Sequence, residues 1–125
     1  MNVVVWIVTG LLAAMFLMSG AMKVPATKRS LAANPRMGWT EPFPIGLIKF
    51  IGVAEIAGAL GLILPGAFGI ATWLVSTAAI GLAVVMIGAV ITHTRRSEFQ
   101  NVAVNVVLLA LAAFVAVERL GPQSF

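Results

Sequence analysis

Four apolar runs, each near the length a helix needs to cross a bilayer, constrain this chain before any other feature is weighed. A bilayer core of about 30 Å takes roughly 20 apolar residues in an α-helix. The runs are about Val3 to Met22, Ile45 to Leu64, Phe68 to Thr92, and Val102 to Val117. Backbone polar groups in hydrocarbon must be satisfied within their own segment, so each run must be a helix. Breakers fall between them. Pro25, Pro35, Pro42 and Pro44 separate the first two spans, Pro65-Gly66 reads as a tight turn, polar residues from His93 to Gln100 separate the last two, and Gly121-Pro122 closes the fourth. The expected fold is all-α: an integral membrane four-transmembrane-helix bundle, one domain over residues 1–125, with antiparallel neighbours.

Composition supports this and excludes much else. Hydrophobic residues make up 61% and charged residues 10% of 125, with a mean hydropathy of +1.07. Soluble domains carry about a quarter charged residues. The absence of cysteine excludes disulfides, thiol nucleophiles and iron–sulfur ligation. A net charge of +4 suggests nucleic acid only superficially, because basic residues flanking spans set topology. Lys23, Lys28, Arg29 and Arg36 lie in the first loop and Arg95 and Arg96 in the third, on one face; the other face has Arg119 and the terminal amine. The expectation is an inner (plasma) membrane protein with both termini on the non-cytoplasmic side. The first span is read as retained, since its charges follow rather than precede it and its apolar stretch is too long for a signal peptide.

The stretch GVAEIAGALGLILP, Gly52 to Pro65, holds one acid in an apolar run. Glu55 lies about ten residues into its span, roughly 15 Å deep at 1.5 Å per residue. An ionisable group there must face protein or a wet cavity. Gly52, Gly58 and Ala59 share its face, as a packing seam requires. Lys49 lies around the helix and nearer the interface, so it is expected to snorkel. Partners are sought on other spans: Ser76 and Thr77 at similar depth, Asn105 about a turn nearer the cytoplasm on a face shared with Asn101, and Ser19 shallower still. Without a cationic partner, a buried carboxyl is favoured in its neutral form and donates a hydrogen bond. Helix glue and ligand or proton handling are both open readings of Glu55.

His93, in the run THTRR, is expected near the headgroups, either as an interfacial residue or as a ligand-binding one. One His, four acids spread along the chain and no thiol give no material for a metal centre. Met15, Met18 and Met22 form a stripe at helical spacing, read as packing or as a ligand wall. Gly81 and Gly88 read as a second close-packing seam. The first loop is long enough to hold a short helix around Ala26 to Ala33. Met37, Trp39 and Phe43 then either anchor it in the headgroups or form a lid over a cavity. No nucleophile–base pair, phosphate loop or dinucleotide fingerprint is present.

FLMSGAMKV (Phe16 to Val24), GVAEIAGALGLILP and GAVITHTRR (Gly88 to Arg96) together resemble the DoxX-like family of small four-helix membrane proteins, over nearly the whole chain. By position, the family's recurring polar residues correspond to Lys23, Glu55 and His93. The family's name comes from a subunit of quinone-linked thiosulfate oxidation, so the resemblance implies a fold more than a reaction. Three roles follow. The first is an accessory or quinone/lipid-interacting subunit of a membrane redox system, in which Glu55, Asn105 and Ser76 line the binding site and Lys23, Lys49 and His93 the way in. The second is a non-catalytic scaffold docking a larger membrane or cytoplasmic complex, its basic loops binding acidic partners or anionic lipid; separately, the glycine faces leave packing surface for a homo-oligomer. The third is a proton pair of Glu55 and His93, which the depths place roughly 15 Å apart, too far for direct coupling.

Overall fold

The computed structural model describes residues 2–40 and 42–121; Pro122, assigned above to the end of the last span, lies outside them. The helices are α1 (Asn2–Lys23), α2 (Lys28–Ala32), α3 (Ile45–Phe68), α4 (Trp73–Arg95) and α5 (Phe99–Leu120), with 3₁₀ turns over Pro35–Thr40 kinked at Met37. Among the described residues, four helices (α1, α3, α4 and α5) are long and apolar enough to cross a membrane. They stand in a ring: α1 packs on α3, α3 on α4, α4 on α5, and α5 returns to α1. The protein is an all-α membrane bundle as the sequence predicts.

One boundary differs in kind. Pro65-Gly66 is not the turn, because α3 runs through Pro65 to Phe68. Proline's fixed φ is itself helical, and what it loses is one donor near a helix end. The helix stops at Gly69, whose left-handed backbone (φ 67°) is the one a glycine adopts without strain. The first loop forms its short helix behind a capping box, in which Thr27 accepts from the Ser30 amide and Ser30 accepts from the Thr27 amide.

The core is apolar. Leu12, Phe16, Leu62, Val75, Leu82 and Val115 are essentially inaccessible at its centre. Thr9 and Ser76, polar and buried, bond back to their own helices, at Val5 O (2.6 Å) and Trp73 O (3.1 Å). The outer surface is Val, Ile, Leu and Phe, including Val3, Phe50, Phe68 and Val107. A surface so rich in large apolar side chains suits contact with lipid.

The tightest crossing joins α1 to α3. A Cβ added to Gly20 would lie 2.5 Å from Gly52 O, and one added to Gly52 would lie 2.8 Å from Lys23 Cβ. The two backbones therefore touch, as small residues permit in membranes. Gly58 leaves room for Leu82 of α4 in the same way. The Glu55 face is thus the packing face, as its small residues indicate. Among the described residues the second expected seam packs against nothing: an added Cβ at Gly81 or Gly88 meets no atom within 4 Å. Nor is the methionine stripe core: Met15, Met18 and Met22 are all exposed, and of the three only Met15 also borders the cavity described below.

Gly20→Ala should lose about 1–3 kcal/mol, because overpacking pushes two backbones apart. Gly81→Ala should be neutral or gain up to about 1 kcal/mol from helix propensity. Thermal unfolding in detergent compares the two, and equal shifts would remove the claim that the α1–α3 crossing is the critical contact.

Candidate functional site

Side chains on a helix lean toward its N-terminus. α1 and α4 end beside the first and third loops, so residues in their last turns lean back into the bundle. α3 and α5 start there, so their early residues lean outward. Lys23 leans in, Glu55 leans toward it, and they meet. Lys23 Nζ lies 2.9 Å from Glu55 Oε1. Ser19, one turn before Lys23, closes a triangle: its hydroxyl donates to Glu55 Oε2 at 3.0 Å and accepts from Lys23 Nζ at 2.5 Å. Lys23 and Glu55 are 9% and 2% exposed. The cationic partner that sequence reasoning did not assign to Glu55 is therefore Lys23, through the shallow Ser19. Counting Cα depth alone left Lys23 at the headgroups.

The same lean moves Lys49 the other way. Its Nζ donates to Val24 O at 2.6 Å, fixing the start of the first loop. It neither snorkels to the headgroups nor lines a cavity. Ser76 is also removed from the site, bonded within α4 and buried in the dry half. Glu55, Asn105, His93 and Lys23 come together around one cavity of about 470 Å³, within the range of small-molecule sites. Its remaining wall is mostly apolar, including Phe16, Ile51, Met86 and Leu108. Glu55 is hydrogen-bonded to Ser19 and paired with Lys23, while His93 is bonded to Glu98. The two are not bonded to each other.

The first loop is a lid. Met37, Trp39 and Phe43 turn inward, pack with Leu31 and Ile48, and line the cavity. Trp39 meets His93 edge-on at 5.7 Å between centroids and lies 6.0 Å from Lys23 Nζ. Lys28 holds the lid's shape by donating to the carbonyls of Thr40 (3.0 Å) and Phe43. Gly38 lets Arg96 approach from the third loop, where an added Cβ would lie 3.2 Å from its guanidinium.

His93 is set by the loop after it. Ser97 takes a left-handed backbone (φ 57°), which turns the chain so that Glu98 folds back. Its Oε1 lies 2.9 Å from His93 Nδ1 and 3.1 Å from Arg96 Nε. A carboxylate only accepts, so Nδ1 carries the proton and Nε2 is the ring's free position. The His93 hydrogen bond, then the Arg96 charge, hold the Glu98 carboxyl below its ordinary 4.5 despite opposing desolvation. Asn105 makes no side-chain hydrogen bond among the described residues, so its amide is available in the cavity. Among the described residues, no three of His, Cys, Asp and Glu gather as a metal site.

Removing one partner of a buried pair strands the other charge, so Glu55→Leu or Lys23→Leu should each cost about 3–5 kcal/mol. The double variant should lose clearly less than the sum; additive losses in detergent unfolding would show that the pair is not coupled. A depressed carboxyl contributes stability above its ordinary value and loses it as pH falls through the folded value. The stability gap between the unmodified chain and Glu98→Gln should therefore be full at about pH 6 and shrink below about pH 4.5. A gap independent of pH would contradict the ionised Glu98.

The family model of the DoxX-like family matches residues 7–115, a stretch that contains every residue of this cavity. No curated protein and no solved structure matches the chain. With four membrane-crossing helices in a ring and a family match over most of its length, this chain belongs to the DoxX-like family of membrane proteins.

Proposed function

We propose that the chain is a quinone-binding accessory subunit of a membrane redox system, holding the head of the ligand in the cavity beneath the lid. One observation carries this reading: an apolar cavity with a buried ion pair at its inner wall and an uncommitted amide beside it. A carbonyl head accepts hydrogen bonds, and the site offers donors in the Asn105 amide and in Lys23, whose ammonium has three protons. Glu55 and Ser19 hold Lys23 in place. The apolar walls and the Trp39 ring suit the flat body of such a ligand. A scaffold that only docks a partner needs no cavity of this composition, which ranks that reading second. The basic residues Lys28, Arg29, Arg95 and Arg96 at the lid end support an orientation with the lid on the cytoplasmic side of the inner membrane.

The purified protein should carry co-extracted quinone, and added quinone should quench Trp39, which lines the cavity. Asn105→Leu removes a donor without stranding a charge. It should weaken binding by about 1 kcal/mol, roughly fivefold. Absence of both co-extracted quinone and quenching would sink the proposal.

A further inference from the structure

The first loop covers one end of the cavity, and at one seam of the ring the cavity wall runs out to the lipid side. Of the four neighbouring pairings, α1 with α5 is the least extensive. The pair is fastened at the end away from the lid, where Arg119 Nη1 donates to Asn2 Oδ1 at 2.7 Å and the guanidinium lies 5.3 Å over the Trp6 ring. Toward the lid, α1 is committed to α3 through Gly20. At about 100° per residue, Met15 lies about 140° around the helix from Gly20, on the flank away from α3. Met15 and, on α5, Val104 both line the cavity, and they are 45% and 47% exposed, against 1% and 8% for Phe16 and Leu108 on the same two helices and the same cavity. A residue that borders an internal cavity while half open to the outside marks a gap in the wall.

We infer that this gap seats a hydrocarbon tail. The ligand class is then a tailed, bilayer-resident amphiphile, its carbonyl head at Lys23 and Asn105 and its tail leaving between α1 and α5 past Met15 and Val104. This rests on the head-site reading above and fixes which members of that ligand class the site takes. A tail already dissolved in lipid gains little further hydrophobic stabilisation from protein walls as apolar as lipid. The gap therefore acts by steric permission: closing it penalises tailed ligands and spares tail-less ones. Val84 of α4 also borders the cavity and is 62% exposed. Leu82 of the same helix packs over Gly58 in the more extensive α3–α4 seam, whereas Val84 lies about 160° around α4 from it, on the outer face. Val84 is accordingly the control position.

The test uses the full chain in liposomes with Trp39 as sole reporter (Trp6→Phe, Trp73→Phe), titrated with a tail-less methoxy-benzoquinone and its decyl-tailed counterpart. Met15→Phe and Val104→Phe, both on the lipid-exposed surface, should raise the Kd of the tailed quinone about tenfold and leave the tail-less one within about twofold. Val84→Phe should change neither. Equal effects on both quinones, no effect on either, or discrimination appearing at Val84→Phe instead would overturn the α1–α5 route while tail-less binding keeps the head site intact. If neither quinone quenches Trp39 in the parent chain, the head-site reading fails first and this inference falls with it.

Discussion

The buried contact among Lys23, Ser19 and Glu55 is the interaction on which the arrangement of this bundle depends. An unpaired carboxylate near the middle of a bilayer costs several kcal/mol, and so does an ammonium. Bringing the two to 2.9 Å with a shared hydroxyl offsets both penalties at once. The geometry is possible because Gly20 and Gly52 let the backbones of α1 and α3 touch just beside it. Lys23 is also the last residue of α1, where the partial negative charge of the helix end favours a cation. Small residues, helix polarity and ion pairing thus fix the same relative depth of two helices.

The lid depends on that contact in turn. Trp39 bridges Lys23 and His93, so the aromatic cover lies over polar groups that the bundle has already oriented. Two lysines are spent on main-chain carbonyls: Lys49, which a depth count assigns to the headgroups, on Val24, and Lys28 of the first loop on Thr40 and Phe43. A polar segment lying over an apolar opening has few partners for its backbone, and these ammonium groups supply them.

The sequence made the spans, their order and the inward face of Glu55 legible, because hydropathy and the small residues Gly52, Gly58 and Ala59 are local signals. It also indicated the short helix of the first loop and a lid as one role for Trp39. The partner of Glu55 was not legible. Residue counting locates Cα atoms, whereas Lys23 and Glu55 each lean several ångströms along their helices toward one another. Ser76 was misread for a related reason: depth said it was level with Glu55, but its hydroxyl had a nearer acceptor in its own helix at Trp73. Pro65-Gly66 looked like a turn because proline and glycine are adjacent there, yet the left-handed position falls at Gly69. Gly81 and Gly88 have the spacing of a seam and face open space. Spacing specifies a face of a helix and leaves open what that face meets.

The polar groups of the site, Ser19, Lys23, Glu55, His93 and Asn105, border a cavity beneath the first loop, and the cluster of Leu12, Leu62, Val75 and Val115 forms a floor with essentially no accessible surface. The cavity is therefore a blind well. Below the site, Thr9 and Ser76 spend their hydroxyl protons on carbonyls of their own helices, so neither donates into the well. The floor thus separates the polar site from the far end of the bundle, where Arg119 and Asn2 form a contact of their own.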